Sequence, residues 1–331
     1  MFDKITIIGD GAMASVCSML LCENGKAVTM WGYDAEQLSE FEAAGENTRF
    51  LPGHKLPAGL KFDSRDERAM VTAELLVSTV PCQFMRGVWE RLRKNVPAGL
   101  PVVSVAKGIE KETLLSPSRI LADVLGADRL YMALSGPTIA DELARGLPAT
   151  ACIAGKDEAM LRNVQQCFNT PRFRVYTNDD IVGVELAGAV KNVIAIAAGI
   201  VDGIGAGDNA KAALVSRGLA EIERLGLAMG AKEKTFAGLS GLGDLITTCI
   251  SPMGRNRSFG ERIGKGETPK QALGATNSVV EGVATCESVL AVAKRCGVEM
   301  PIAEAVHSVI IGGKSVPAAI HDLMCRQLKA E

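Results

Sequence analysis

The chain has 331 residues, of which 47% are hydrophobic and 22% charged, and its formal net charge is −2. This length accommodates two domains, and the composition is globular rather than disordered. The weak net charge gives no support for nucleic acid or an anionic membrane surface as a partner. Aromatic residues, at 4%, are too sparse for base-stacking platforms.

Cysteine and histidine usage indicates a reducing compartment and no metal site. The nine cysteines are scattered without a C-x-x-C pair, and the three histidines lie far apart. Neither disulfide frameworks nor zinc clusters have this pattern. The first residues, MFDKITIIGDG, lack the apolar core and cleavage site of a signal peptide. We therefore expect a cytoplasmic protein that binds no metal and does not insert stably into a membrane.

Short β-rich runs alternate with helical stretches in the first half of the chain. Helices are predicted at 12–24, where Asn24-Gly25 ends the helix, and at 35–44. Continuous apolar runs separated by helices are typical of buried parallel strands, so the pattern predicts a doubly wound α/β domain with a mostly parallel sheet. The strands are predicted at 4–9, 26–31, 75–80 and 101–106, with weaker candidates at 129–134, 148–154 and 172–176.

The stretch ITIIGDGAMASVCS places a G-x-G-x-x-A turn between the first strand and the first helix. Gly9 permits the tight turn, Gly11 lets the backbone approach a pyrophosphate, and Ala14 meets the small-residue requirement of the third position. The phosphates would bind unpaired N–H groups at the helix N-terminus, near Ala12 and Met13. The turn therefore predicts a Rossmann-type dinucleotide-binding domain.

The end of the second predicted strand should lie against the adenosine ribose of the dinucleotide. An acidic residue there favours NAD, whereas a basic residue accommodates the 2′-phosphate of NADP. Tyr33 is placed to stack on adenine. Asp34 is placed either to accept from a ribose hydroxyl or to cap the next helix. The residues favour NAD over NADP.

From about residue 180 the pattern changes to long helices rich in small and aliphatic residues, and no further strand is predicted. The acidic and amide side chains at 178–180 supply N-cap chemistry for the next helix. The predicted domains are therefore residues 1–178, which would bind the dinucleotide, and residues 179–331, an all-α domain for substrate and catalysis.

The helix predicted at 181–203 is long and apolar enough to cross a membrane, yet it contains Glu185, Lys191 and Asn192. These polar residues favour the interpretation of this segment as the central helix of a soluble core over a membrane span. Lys191 has apolar neighbours on its helix face, and a buried ammonium needs compensation. It either snorkels or pairs with a carboxylate such as Glu185, or it is a general acid/base.

Other polar residues suit a phosphate-bearing ligand. Lys107 follows a buried strand, at the edge where such sheets hold ligands, although a lysine there is commonly only solvated. Asp244 lies in a glycine-rich turn, and Arg255 and Asn256 follow it in a loop. The arginine fork matches phosphate geometry, while the alternative is a solvated surface loop.

Five blocks in order resemble the bacterial-type NAD(P)-dependent glycerol-3-phosphate dehydrogenases. Because they extend over essentially the whole chain, the resemblance does not depend on one motif. It implies reversible hydride transfer between NAD(P)H and dihydroxyacetone phosphate, which gives sn-glycerol 3-phosphate for phospholipid synthesis. The blocks are ALSGPTIADELARGLPA, GVELAGAVKNVIAIAAGIVDGIGAGDNAKAALVSRGLAE, GLSGLGDLITTC, RNRSFG and VVEG.

By matching position, the resemblance assigns roles to the candidate residues. Lys191 would be the acid/base residue at the C2 oxygen, Lys107 would polarise that carbonyl, and Asp244 would orient Lys191 or bind a substrate hydroxyl. No metal is needed, since the lysines assist the carbonyl. The expected substrate-binding residues are Lys107, Gly136, Thr138, Lys191, Asp244, Gly254, Arg255 and Asn256. The expected cofactor-binding residues are Gly9, Gly11, Ala12, Met13, Ala14, Tyr33, Lys107, Ala140, Arg255, Val279 and Glu281.

The chain departs from the family's pattern without losing a proposed catalytic group. Ala14 stands where the family usually has Gly, and Ala12 and Met13 stand where a Ser and an aromatic residue are frequent. Tyr33 replaces a basic residue or His, which weakens the expectation of NADP. Gly254 replaces a Ser and removes one hydroxyl from the phosphate site.

Two alternatives remain. A β-hydroxyacid dehydrogenase has a similar turn, which Met13 superficially favours, and a catalytic lysine in a helical domain. It does not account for RNRSFG or GLGDL. A non-catalytic NAD(P)-binding regulator is disfavoured by the presence of Lys107, Lys191 and Asp244. The partner expected for the chain is a small phosphate substrate, with no nucleic acid, and the apolar helices are compatible with a homodimer.

Overall fold

The computed structural model describes residues 2–276 and 279–328. The chain divides into two compact units. The first unit comprises Met1–Lys107 and Leu115–Glu185, and the second comprises Gly108–Leu114 and Leu186–Glu331. The assignment of cofactor and substrate roles to residues 1–178 and 179–331 stays a prediction.

An eight-stranded sheet forms the centre of the first unit, in the order β3-β2-β1-β4-β5-β6-β7-β8. Neighbouring strands are parallel except β6 and β7, which are antiparallel. The strands are β1 (Lys4–Ile8), β2 (Ala27–Trp31), β3 (Lys61–Asp63), β4 (Leu75–Ser78), β5 (Val102–Ser104), β6 (Tyr131–Ser135), β7 (Ala149–Ala154) and β8 (Phe173–Asn178).

Six helices follow the strands of this unit, and a short 3₁₀ turn at Arg93–Asn95 extends the third of them. Two of the ends are set by residues that the sequence singled out. Asn24 is the C-cap of the first helix, and Asp34 is the N-cap of the second. The helices are α1 (Ala12–Glu23), α2 (Ala35–Ala44), α3 (Cys82–Leu92), α4 (Pro117–Leu125), α5 (Ala140–Ala144) and α6 (Glu158–Phe168).

The sheet separates two apolar cores, because successive side chains of a strand point to opposite faces. Ile7 of β1 lies in the larger core and Ile8 in the smaller one, and Val77 and Leu76 of β4 divide in the same way. Helices α1, α2 and α6 contribute to the larger core, and α3 and α4 to the smaller. Both faces of the central strands are therefore covered, as their continuous apolar sequences predicted.

The described residues of the second unit are built from helices. The first of them, α7, begins in the first unit, where the Asp180 Oδ1 accepts the Gly183 N–H at 2.9 Å and caps the helix as predicted. A π-helical turn at Leu239–Gly243 leads directly into α10. The helices are α7 (Ile181–Gly203), α8 (Gly207–Ala228), α9 (Glu233–Phe236), α10 (Asp244–Ile250), α11 (Arg255–Gly264), α12 (Pro269–Gly274), α13 (Glu281–Cys296), α14 (Pro301–Ile310) and α15 (Val316–Met324).

Within the described residues, α7 is the helix that is long and apolar enough to cross a bilayer by length and composition. Of its most apolar window, 83% is buried inside the fold. Burial of this extent is what a core helix shows, and the polar residues Glu185, Lys191 and Asn192 predicted it.

The predicted fold class is confirmed, and the differences are local. The seven predicted strands all form, with ends that differ by at most two residues. β3 was missed because it has only three residues at the edge of the sheet, of which Lys61 is exposed and Phe62 and Asp63 are half-buried. The antiparallel direction of β7 is a second feature that the apolar pattern does not carry.

Candidate active site

The turn after β1 has the backbone that a dinucleotide requires. Gly9 has φ +116°, a conformation that favours glycine, and a Cβ there would lie 2.4 Å from the Thr79 Oγ1. The Gly9 N–H donates to the Trp31 carbonyl at 2.8 Å. Since β1 lies between β2 and β4, the turn stands where the strand order reverses. Doubly wound sheets bind their ligands at this point.

The N-terminus of α1 fits a pyrophosphate. Gly11 is the N-cap and makes no side-chain cap, and the first turn has no acidic residue. A Cβ built on Gly11 would meet no atom within 4 Å, so there is room beside the free N–H groups. Ala14 is fully buried, while Ala12 and Met13 are half-buried against the larger core. The small residue at position 14 thus lets the helix pack closely on the sheet.

The two candidate residues that follow β2, Tyr33 and Asp34, have different surroundings. The Tyr33 side chain is 74% exposed, and the Arg91 guanidinium lies 5.3 Å from its ring centroid. The Asp34 Oδ1 accepts the N–H groups of Glu36 and Gln37 at 3.0 and 3.2 Å. Asp34 is therefore the N-cap of α2. Of its two predicted roles, this is the structural one and not ribose binding.

Lys107, Gly136 and Thr138 meet in the first unit. The Lys107 Nζ donates to the Gly136 carbonyl at 3.0 Å, and the Thr138 Oγ1 donates to the same oxygen at 3.1 Å. Lys107 follows β5 and Gly136 follows the adjacent parallel strand β6, so both lie at the carboxyl edge. Ala140 begins α5 and packs against the larger core. A lysine held in this way can polarise a ligand carbonyl.

In the second unit, a buried ion pair joins α7 to α10. The Lys191 Nζ donates to the Asp244 Oδ1, and the two side chains are 7% and 2% exposed. The Lys191 Nζ also donates to the Thr248 Oγ1 at 2.6 Å, and that hydroxyl donates to the Asp244 carbonyl at 2.7 Å. The carboxylate compensates the buried charge, and the hydroxyl fixes its direction.

Lys191 pairs with a carboxylate, as one of its interpretations predicted, but this carboxylate is Asp244 and not the Glu185 given as the example. The Glu185 carboxylate accepts from the Ser116 Oγ at 2.6 Å and from the Ser118 N–H and Oγ at 2.7 and 2.6 Å. Burial raises the pKa of Glu185, and the serine donors oppose that shift. Near Lys191, burial raises the pKa of the Cys249 thiol to about 12, so that this thiol stays protonated at neutral pH.

The N-terminus of α11 is a second place that fits an anion. Gly254 is its N-cap without a side-chain cap, and no acidic residue lies in its first turn. The Arg255 Nη1 donates to the Val279 carbonyl at 2.9 Å, which leaves other guanidinium hydrogens for a phosphate. Val279 is 38% exposed, and Glu281 begins α13 two residues later. The helix dipole and the arginine thus favour negative charge at this end.

Asn256 holds this helix in register with α7 and α13. Its Nδ2 donates to the Asn192 Oδ1 at 3.0 Å, and its Oδ1 accepts the Gly282 N–H at 2.9 Å. Since Asn192 follows Lys191, these bonds link the N-terminal end of α11 to the lysine-bearing helix. One Nδ2 hydrogen of Asn256 is left to reach a ligand.

Some residues that contact the candidate site residues were not predicted from the sequence. Thr248 had a usable signal, because it lies four residues after Asp244 and so on the same face of a helix. Asn192 had only its position next to Lys191. Arg257 also differs from its neighbours in RNRSFG, since it pairs with Asp202 at 2.6 Å and with Glu261 at 3.2 Å. Its charge is thus committed to carboxylates.

Comparison with known proteins agrees over the whole chain. Sequence profiles described as the N-terminus and the C-terminus of NAD-dependent glycerol-3-phosphate dehydrogenase match residues 4–161 and 180–321. The chain belongs to this family. Glycerol-3-phosphate dehydrogenase [NAD(P)+] of Geobacter sulfurreducens is 45% identical over 100% of this chain and 99% of its own, and that of Corynebacterium glutamicum is 44% identical over 99% of each.

Solved structures of the glycerol-3-phosphate dehydrogenase family share the fold. The enzyme of Coxiella burnetii, 34% identical, superposes with a TM-score of 0.94 over 98% of this chain and 99% of its own. As a member of the family, this chain is an NAD(P)-dependent oxidoreductase, and the predicted family and cofactor class are confirmed. The roles assigned to individual site residues stay predictions.

Proposed function

We propose that this chain transfers hydride reversibly between NAD(P)H and dihydroxyacetone phosphate to give sn-glycerol 3-phosphate, in the cytoplasm and for glycerophospholipid synthesis. The observation that carries the proposal is the buried Lys191–Asp244 pair, linked through Asn192 and Asn256 to the uncapped N-terminus of α11 in the same unit. A proton donor and a phosphate site on one rigid group of helices are what a phosphorylated ketone requires.

The acid/base step is assigned to Lys191. In reduction its Nζ gives a proton to the C2 oxygen of the ketone, and in oxidation it takes that proton back from the alcohol. Asp244 holds the ammonium in place, and Thr248 adds a second directed contact. The nicotinamide supplies or receives the hydride when it is bound.

The substrate phosphate is assigned to the first turn of α11. The N–H groups after Gly254, the Arg255 guanidinium and the remaining Nδ2 hydrogen of Asn256 would bind its oxygens. In the first unit, Lys107 is assigned to the carbonyl oxygen, with Gly136 and Thr138 holding its ammonium. The pyrophosphate of the cofactor is assigned to the turn at Gly9–Ala14.

A homodimer is part of the proposal and rests on the apolar surface of the helical half. Exposed Ile246, Ile250 and Met253 lie close together in sequence on and just after α10. Light scattering on the purified protein measures the mass directly. A mass of one chain at micromolar concentration would contradict the dimer without affecting the assigned reaction.

The test of function is oxidation of NADH and of NADPH at matched concentrations with dihydroxyacetone phosphate, followed at 340 nm. We expect turnover that depends on the phosphorylated ketone with at least one cofactor. The control is oxidation of 3-hydroxyisobutyrate by NAD+ or NADP+, because this alcohol carries a carboxylate and no phosphate. Absence of turnover of the phosphorylated ketone with both cofactors would contradict the proposal.

The role of Lys191 is tested with Lys191→Ala and with Lys265→Ala as the matched control. Lys265 is a lysine of the same unit whose side chain is 60% exposed in a pair with Glu261. We expect Lys191→Ala to bind cofactor but to lose about 10²–10⁴ in kcat, the usual contribution of a positioned acid/base. We expect Lys265→Ala to keep its rate. Wild-type turnover by a folded Lys191→Ala protein would rule out the proton-transfer role.

A further inference from the structure

The side chain of Asp10 lies where β1 and β2 end together. Ile8 pairs with Trp31 in the sheet register, and Asp10 and Gly32 follow these residues closely in the chain. A Cβ built on Gly32 would lie 2.8 Å from the Asp10 Oδ2. Because residue 32 has no side chain, the carboxylate of the glycine-rich turn occupies the space at the end of β2.

A hydrogen-bonded chain fixes this carboxylate. The Gln37 Nε2 donates to the Asp10 Oδ2 at 2.7 Å, and the Gln37 Oε1 accepts from the Arg49 Nη1 at 2.6 Å. The Asn47 Nδ2 donates to the Asp10 backbone carbonyl at 2.8 Å. Burial raises the pKa of Asp10 and the charge of Asp34 reinforces the shift, while the hydrogen bond from Gln37 and the charge of Arg49 favour the ionised form. The group is therefore a positioned acceptor.

Asp34, the acid that follows β2 in sequence, is engaged elsewhere. Its Oδ1 accepts two backbone N–H groups at the start of α2, at 3.0 and 3.2 Å. A capping carboxylate in this geometry faces the helix whose first turn it closes. The carboxylate beside the end of β2 is thus the one from the turn.

Two arginines at the neighbouring strand end, Arg65 and Arg91, are paired with carboxylates. Arg65 holds Asp63 through its Nε and Nη2 at 2.8 and 3.0 Å. Arg91 holds Asp66 in the same two-pronged way, at 2.7 and 3.0 Å. Since Asp63 pairs with Trp31 in the sheet register, this end of β3 adjoins the end of β2. Because each of these two guanidinium groups is paired with a carboxylate, it attracts the 2′-phosphate of NADP only weakly.

We propose that Asp10 binds the hydroxyls of the adenosine ribose and makes this chain prefer NAD over NADP. The inference rests on the proposed function. A carboxylate at the end of β2 accepts from the 2′- and 3′-hydroxyls, whereas the 2′-phosphate of NADP replaces a donor with an anion. Like charges brought together there disfavour the phosphorylated cofactor.

The test compares Asp10→Asn with Asp34→Asn, both isosteric losses of one carboxylate charge. Titration of each protein with NADH and with NADPH, followed by cofactor fluorescence, gives the two dissociation constants without turnover. We expect the wild type to bind NADH more tightly. We expect Asp10→Asn to reduce the preference roughly tenfold or more, the effect of removing one like-charge contact. Asp34→Asn should change the preference much less, because asparagine also caps helices and the Asp34 carboxylate faces the first turn of α2.

The outcomes separate this inference from the proposed function. A wild type that binds neither cofactor would contradict the proposed function itself. Binding of both cofactors with an unchanged preference in Asp10→Asn, or a wild type that prefers NADPH, would overturn only the role of Asp10. If Asp10→Asn does not fold, as judged by thermal unfolding, Asp10→Ser provides the same comparison with a smaller neutral side chain.

Discussion

At the scale of single residues, the Lys191–Asp244 pair has the largest predicted effect on stability. The side chains are 7% and 2% exposed, so neither charge has water to replace its partner. We expect Asp244→Asn to lower the free energy of unfolding by about 3–5 kcal/mol, because the ammonium stays buried without its carboxylate. Urea denaturation monitored by circular dichroism measures this loss.

The control for that prediction is the double variant Lys191→Met/Asp244→Asn, which removes both charges. It should recover most of the stability that Asp244→Asn loses, since replacing a buried pair by neutral groups is far less costly than breaking it. A double variant as unstable as Asp244→Asn would mean that packing, and not charge compensation, dominates at this position.

Site residues could be predicted from the sequence only where residue spacing or a family pattern identifies them. Lys191 and Asp244 are 53 residues apart, so nothing local joins them, and the expectation came from the resemblance. Thr248 could have been predicted, because it lies four residues after Asp244 and so on the same face of a helix. Asp10 was not, because its position depends on Gly32 leaving space on another strand. Contacts between distant segments are set by packing, which a single sequence does not display.

At the scale of elements, the junction of α8 and α14 makes stability depend on pH. Glu221 of α8 accepts the N–H groups of Ile302 and Ala303, in the first turn of α14, at 2.7 and 3.4 Å. Burial raises the pKa of Glu221 from 4.5 to about 7, with the two backbone donors and Arg224 opposing the shift and Glu304 reinforcing it. The folded state therefore holds this proton more tightly than the unfolded state does.

The sign of the pH effect follows from that raised pKa. Glu221 stabilises the folded state fully at pH values below its unfolded pKa of 4.5. This stabilisation, about 3 kcal/mol, is lost as the pH rises through about 7, the pKa of Glu221 in the folded protein. Glu221→Gln is neutral throughout. We expect the difference in unfolding free energy between pH 5 and pH 8 to shrink by about that amount in the variant. An unchanged pH dependence in Glu221→Gln would exclude Glu221 as its source.

Elements were predictable where their sequence is long and periodic. The first strand, the first two helices and α7 were predicted nearly to the residue, because apolar period and caps agree there. β3 failed because a three-residue edge strand has too few side chains to show a pattern. The mostly parallel sheet was predicted, but not that β6 and β7 would be its antiparallel pair. A buried strand is apolar whether its neighbour runs parallel or antiparallel, so the sequence carries no sign of direction.

At the scale of the whole molecule, each of the two units contains a helix whose N-terminus fits an anion. In the first unit it is α1, beginning after Gly11, and in the second it is α11, beginning after Gly254. Neither has a side-chain cap or an acidic residue in its first turn. The change near residue 180 was visible in the sequence, whereas the inclusion of Gly108–Leu114 in the second unit was not. That segment is too short to have a pattern of its own.

Hydrogen–deuterium exchange can distinguish these two sites in one experiment. The first N–H groups of a helix have no intrahelical acceptor, so they exchange rapidly until an anion accepts from them. We expect the binary complex with NADH to slow exchange at 12–14 in the first unit. We expect glycerol 3-phosphate, added after the cofactor, to slow exchange at 255–257 in the second. Inorganic sulfate is the control for anion binding without the rest of the substrate. Protection of 12–14 by glycerol 3-phosphate alone, or of neither segment by either ligand, would contradict the assignment of one anion to each unit.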